Sequence, residues 1–448
     1  MRRYGCLLFG LLAAAALAPV VWLVLSTPAS PSLTNLKAGE HRIEMLRRVP
    51  SSATELAVIP SSGGVIRAAR ANRVTRKFLD EWRAESHLPL MPLLLGGADL
   101  VVWRVGGQTG YIARLDRVRR ALFRGYRLIR RGDALMISFD DDFVIAVSGR
   151  PEGAAARAGE NATPSAWPLG LVDGVDAHLF FFQTSQSALG YPPIGRPAAT
   201  YGVIEPDAVR LVSKSGLRSD TMARTPISMA FRFPAGALVS AGFVEPPKPL
   251  KTVMKIFPLD LLPLFDQGGG VAIYGIDDRK LIPRIHGVIL LPESKRPAIE
   301  ETIGARRGSS FLDSLAPQGE QKRMVNGIEV TRRRSLAYTI ETAVAGGMVV
   351  VGFDRTSVEQ YLGDPLVASP HGAIRPGWTV RLRPDELEPL LSRLEERDEL
   401  RILASDLHDA IRDARRWSRL FENASSVAIA HSVEGEMEVL RAVVERSK

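Results

Sequence analysis

The sequence predicts an α+β protein: an N-terminal transmembrane helix, then two related antiparallel-sheet modules with helices packed on the sheets. Three observations predict it. An uncharged, strongly apolar stretch opens the chain between Tyr4 and Pro31. Beyond it, apolar and polar residues alternate in short runs, the period-two signature of strands with one buried face. One order of strands, helices and glycines then occurs twice.

The densest apolar part runs from Cys6 to Leu25, about 20 residues, the length that spans a bilayer as a helix. Arg2 and Arg3 precede it, so the positive-inside tendency keeps the N-terminus cytoplasmic and sends the body across. Pro19 kinks such a helix without forbidding it. The rival reading is a cleaved signal peptide, with Ala16-Leu17-Ala18 as cleavage site and Pro19 opposing the cut. Both readings export the body. The expected organisation is an anchor or signal segment and stalk over 1–31, a first module over 32–225, and a second over 226–448. A helical insertion is expected at about 384–424 of the second module. The expected localisation is the cell membrane, single-pass, with the body periplasmic or extracytoplasmic.

The first copy reads as a strand at Ala53 to Ile59, a helix from Val65 to Glu85, and a glycine-initiated strand pair at Gly97 to Trp103 and Thr109 to Ala113. A helix at Asp116 to Phe123 and a meander at Leu135 to Phe139 and Phe143 to Val147 follow. Ala177 to Phe182 and Gly202 to Ser213 close it. The second copy opens at Ile227 to Phe233, with its strand pair at Gly270 to Tyr274 and His286 to Leu291. It continues with a helix at Ser294 to Ile303 and strands at Ala337 to Glu341 and Met348 to Gly352. Trp378 to Leu382 and Ser426 to Val444 complete it. The copies differ between their last strands. There the first has a Pro/Gly-rich loop, Ser185 to Ala199. The second has Asp385 to Asn423, where Leu400, Leu403, Leu407, Ile411, Ala414 and Phe421 form an apolar stripe.

Of the 448 residues, 46% are apolar and 24% charged, which excludes a wholly disordered chain. Cys6 is the single cysteine, so no internal disulfide forms. The net charge of +9 suits anionic lipid head groups, acidic polymers or nucleic acid. Nucleic acid is set aside, because no recognised motif for it is present. Arginine gathers in two places. One holds Arg117, Arg120 and Arg124 among Arg114, Arg119, Arg127, Arg130 and Arg131. The other holds Arg332, Arg333 and Arg334 with Arg323. These are the candidate contacts to an anionic surface; the bland reading is exposed ends of strands and helices.

Val49-Pro50-Ser51-Ser52-Ala53, after the apolar stretch, together with the later Gly-x-x-Val/Ile strand and the glycine-bracketed meander, resembles a group of uncharacterised exported bacterial proteins classed as a domain of unknown function. The resemblance implies a membrane helix followed by a duplicated α+β module. It implies no catalytic residues.

No catalytic constellation emerges. The histidines, His41, His87, His178, His286, His371, His408 and His431, show no helical ligand spacing and no cysteine partner. His178 and His286 lie in apolar strands and read as hydrogen-bonded core residues. Ser213-Lys214 sits in a strand, whose alternation points the two side chains to opposite faces and forbids a dyad. Asp140-Asp141-Asp142 reads as a solvated turn. Gly268-Gly269-Gly270 lacks the lysine of a phosphate loop. Glu300-Glu301, adjacent on a helix, share no face. No cofactor and no metal are expected. The reading is a non-enzymatic interaction or scaffold module of the cell envelope, meeting a membrane through its N-terminal helix and an envelope protein, lipid or anionic polymer through its body. The alternatives are a carrier for lipid or another apolar ligand, and an enzyme whose site is assembled from distant positions.

Overall fold

The computed structural model describes residues 33–38, 40–72, 74–76, 99–105, 108–115, 117, 120–121, 124, 135–140, 143–148, 167–184, 197–216, 232–244, 261–277, 284–306, 319–334, 339–368, 377–397, 408–409, 411–412, 414–415, 418, 421 and 423–446. The chain divides into two compact units, Met1–Gly216 and Leu217–Lys448.

The first unit carries β1 (Thr34–Asn35), α1 (Glu40–Arg47), β2 (Glu55–Ile59), α2 (Ser62–Ala71), β3 (Leu100–Val105) and β4 (Gln108–Arg114). It continues with β5 (Leu135–Asp140), β6 (Phe143–Ser148), β7 (Asp176–Ala177), β8 (Leu179–Gln183), β9 (Ala198–Ile204) and β10 (Ala208–Gly216). Eight of these strands form one antiparallel sheet in the order β5-β6-β4-β3-β2-β8-β9-β10. Alternation decides its faces. Leu56, Val58, Val101, Trp103, Ile112, Phe180 and Phe182 are buried in one core with Met45 and Leu46 of α1, while Val102, Tyr111 and Phe181 on the other face are half-buried. Gly110 lies opposite Trp103. A Cβ there would stand 2.0 Å from the indole, so only glycine lets the ring lie flat on the sheet. α2 starts where Ser61 accepts the Gly64 N–H, an N-cap of the usual kind.

The second unit carries β11 (Arg232–Pro234), β12 (Val239–Phe243), β13 (Gly269–Asp277), β14 (Arg284–Pro292), α3 (Arg296–Arg306), β15 (Glu320–Val325) and β16 (Ile328–Arg334). After these come β17 (Thr339–Ala345), β18 (Met348–Gly352), α4 (Ser357–Gly363), β19 (Leu366–Ala368), β20 (Trp378–Leu382), α5 (Pro384–Glu395), β21 (Ala424–Glu434) and β22 (Met437–Arg446). Ten strands form an antiparallel sheet in the order β15-β16-β17-β18-β14-β13-β12-β20-β21-β22. Both faces are buried over its centre. Val271, Ile289 and Val351 pack with Phe265, Ile299 and Ile303 on one side. Ala272, Val288, Leu290 and Val350 pack with Val358 and Tyr361 of α4 on the other. α5 buries Leu390, Leu391 and Leu394 against Leu238.

From β17 to β22 the second sheet repeats the order of the first from β5 to β10. The registers agree as well. The row Ile145, Ile112, Val101, Val58, Phe180, Tyr201 crosses the first sheet. The row Val351, Ile289, Val271, Ala241, Val380, Ile429 crosses the second. Gly110 and Gly287 hold the same place beside these rows, opposite Trp103 and Ile273.

Several expectations need correction. The chain is mostly β, not α+β. The α-helices described in full are five, of 7 to 12 residues, against sheets of eight and ten strands. The alternating valine-rich runs pair into ladders, and the helices only cap or cover them. The expected transmembrane segment, Cys6 to Leu25, lies outside the described residues. Among the described residues no helix is long and apolar enough to cross a membrane. The longest, α5, has 12 residues, about 18 Å against a hydrocarbon core of about 30 Å. On that finding the single-pass membrane localisation is corrected. The strand opening the second sheet is β12, not Ile227 to Phe233. Phe233 instead belongs to β11, which pairs with β19 in a separate two-stranded ribbon. The helix expected from Val65 to Glu85 is interrupted at Asn72: α2 ends at Ala71, residues 74–76 are helical again, and 77–85 lie outside the described residues; the Asn72 side-chain amide donates to the Glu205 and Ala208 carbonyls.

Candidate interaction edge

Among the described residues the second sheet carries two strands with no counterpart in the first, β15 and β16. Asn326 and Gly327 join them, both in the left-handed region, with φ of 50° and 79°. That is the two-residue type I′ turn whose twist matches a hairpin, and Asn-Gly suits it because both positions need positive φ. In such a hairpin the flanking pair, Val325 and Ile328, exchanges both backbone hydrogen bonds. Counting back by twos, Arg323 and Gln321 also turn their amides and carbonyls toward β16. Glu320, Lys322 and Met324 turn theirs outward. Among the described strands β15 pairs with β16 alone. It is exposed at Glu320, Gln321, Lys322 and Met324, the last with 65% of its surface in solvent.

A charge network holds this hairpin to the sheet. Glu341 on β17 is fully buried. It accepts from Arg332 Nε at 2.5 Å and from Arg323 Nη2 at 3.2 Å. Arg323 Nη1 donates to Glu359 of α4 at 2.7 Å. A lone buried carboxylate would lose its hydration without return; two guanidiniums replace that hydration. On the opposite face, Arg333 donates to Glu320 at 3.2 Å and Lys322 to Glu329 at 3.0 Å. The last pair is more than half exposed and contributes little.

The candidate anion contacts therefore part company. Arg332 is tied to Glu341 of β17 and Arg333 to Glu320 within the hairpin, and Arg334 is exposed at its end. Arg117, Arg120 and Arg124 lie on helical turns, three and four residues apart and so on one helical face. Arg117 and Arg124 are exposed, and Arg120 and Arg124 have partners. The two arginine groups belong to different units. Sequence reading missed the hairpin itself. Asn326-Gly327 between Val325 and Ile328 was the signal for it.

The described histidines sit in local contacts; His87 and His371 lie outside the described residues. His178 is buried, its Nδ1 accepting the Ile204 N–H at 2.9 Å and its Nε2 without a partner. Burial pushes its pKa down. His41 and Arg42 both reach Asp99. His286 is not the core residue expected: its side chain is 40% exposed, with Nδ1 3.4 Å from Asp354. Asp354 accepts the N–H groups of Thr356 and Ser357 at 2.7 and 2.8 Å and both hydroxyls, fixing the start of α4. Burial works to raise its pKa, and these hydrogen bonds overcome that and hold it below the ordinary carboxylate value. His431 stacks on Trp378 and lies 3.8 Å from Glu438. Burial lowers its pKa against the pull of that carboxylate.

Lys214 lies over the Tyr201 ring while Ser213 is buried on the other face of β10. That is the split the strand requires. Of Asp140-Asp141-Asp142, only Asp140 is described, at the end of β5. Among the described residues no three of His, Cys, Asp and Glu gather as metal ligands would.

Comparison with protein-family models, curated proteins and solved structures returned no match. The resemblance drawn from Val49-Pro50-Ser51-Ser52-Ala53 therefore brings no residue to this edge.

Proposed function

We propose that the chain is a non-enzymatic interaction module, two copies of one sheet unit, the second of which bears the hairpin Glu320–Arg334 as its docking edge. The observation that carries this is the outer strand β15. Its outward backbone groups at Glu320, Lys322 and Met324 stand in line, exposed, on a hairpin fixed from behind by Arg332, Glu341, Arg323 and Glu359. A strand held rigid and unpaired on one side accepts another strand through main-chain hydrogen bonds, with alternate side chains giving selectivity. Two copies are supported by the shared strand order, the matched apolar rows and the paired glycines.

The rival carrier reading needs an apolar cavity between sheet and helices. Over the centre of the second sheet, side chains fill both faces.

Photo-crosslinking from Lys322 in the producing cell tests the edge, with Glu301, exposed on α3, as control position. Discrete adducts from position 322 and none from 301 are expected. Adducts at neither position, or equally at both, would remove the edge as a docking element.

A further inference from the structure

We infer that the occupant of this edge is a second copy of the same chain, its β15 antiparallel to the first about a two-fold axis at Gln321. The inference rests on the docking role of β15. A two-fold axis normal to the sheet keeps each residue on its own face, so one residue of β15 must lie opposite itself. Backbone pairing then requires that outward residues meet outward residues. Six residues of β15 could lie on the axis; centring on Met324 or Val325 carries the overlap into the turn at Asn326-Gly327, which leaves four registers, on residues 320–323. Centring on Glu320, Lys322 or Arg323 sets that charge against its own copy, and like charges directly opposite are unfavourable. Centring on Gln321 does the reverse. Glu320 meets Lys322 of the second copy, and the same pair forms again across the axis.

The alternation supports that register on both faces. Glu320 and Lys322 point outward with their backbone groups, so each forms a hydrogen-bonded pair with its opposite. Gln321 faces its own copy in a non-hydrogen-bonded pair, where side chains approach closest and two amides bond to each other. Arg323 stays with Glu341 and Glu359 behind the sheet. Lys322 gives up only its exposed pair with Glu329, and Glu320 its partly exposed one with Arg333. Lysine on a sheet edge ordinarily blocks indiscriminate pairing. Here the same lysine admits one register and rejects its neighbours, so a defined dimer forms in place of an aggregate.

Sedimentation equilibrium of the purified full chain tests this directly. A concentration-dependent dimer is expected. Lys322→Glu leaves four carboxylates along the junction and Glu320→Lys four ammonium groups. Each alone weakens dimerisation about tenfold or more. Mixed in equal amounts, the two variants form a heterodimer at concentrations where each alone is monomeric. In a Cys6→Ser background, Gln321→Cys forms a disulfide dimer under mild oxidation, since non-hydrogen-bonded opposites stand within a disulfide's reach. Glu329→Cys, on the inner strand, does not. A wild-type chain that stays monomeric, or a dimer indifferent to both charge variants with no cross-link at position 321, overturns the inference. Adducts from position 322 with another protein would then leave the edge standing and the self-pairing refuted.

Discussion

The two sheets share eight strands in one order and differ in what is added to them. The first buries one face under α1 and leaves Val102, Tyr111 and Phe181 half-buried on the other. The second buries both faces over its centre. At the end of the first sheet stands β5, an apolar strand, Leu-Met-Ile-Ser-Phe-Asp. The corresponding strand of the second, β17, has become internal because β15 and β16 are laid against it. That change explains Glu341. A carboxylate on an edge strand would be solvated, whereas on β17 it is sealed and must be held by Arg332 and Arg323. An elaborated edge thus creates both the outward strand and the inward charge network that stiffens it.

The largest contrast lies in the matched rows. Phe180→Ala removes a fully buried ring from the first unit and is expected to cost about 3–5 kcal/mol. Val380→Ala, at the matching place in the second, costs about 1–2 kcal/mol, because the side chain is smaller and only partly buried. Denaturant unfolding of both variants would show it, and equal losses would break the equivalence of the rows. Next comes Glu341→Gln. It leaves Arg332 without its counter-charge and Arg323 with Glu359 alone, and is expected to destabilise the second unit by about 2–4 kcal/mol. Hydrogen exchange should rise across β15–β17 and not in the first unit. Unchanged exchange there would mean that the network does not hold the hairpin.

His178→Ala should act in the first unit alone. It leaves the Ile204 N–H without its acceptor, a loss of about 1–3 kcal/mol visible as faster exchange of that amide. The smallest effect depends on pH. The folded-state pKa of Asp354 is depressed, so its contribution is present above the ordinary carboxylate value of about 4 and is lost as pH falls through the folded value. Asp354→Asn should flatten the acid limb of the second unit's stability and leave that of the first unchanged. Parallel acid limbs in wild type and variant would show that the capping hydrogen bonds do not favour the carboxylate.

Much of the strand inventory was legible because alternation is a local property. The runs Leu100 to Trp103, Phe143 to Val147 and Met348 to Gly352 carry their period on their face, and each became a strand. The class was misread because a short window shows helical spacing but not the distant strand pairings that build the sheets. α2 stops before Asn72, whose amide binds carbonyls 133 and 136 residues away. The opening of the second sheet was misplaced because Val239-Ser-Ala-Gly-Phe is small and glycine-bearing. Its strand character comes from burial between β13 and β20, not from propensity. The hairpin edge is announced only by Asn326-Gly327, because its outer strand, Glu-Gln-Lys-Arg-Met-Val, is exposed and carries no apolar alternation.

By itself the sequence determined the period of each strand and the turns where glycine or Asn-Gly must stand, since these depend on neighbours a few residues apart. Only the tertiary structure decided which strands pair, which end of the second sheet is extended, and which arginines face Glu341 and which face solvent. Those depend on contacts between residues far apart in the chain, and the free energy of a buried charge is set by what surrounds it in space.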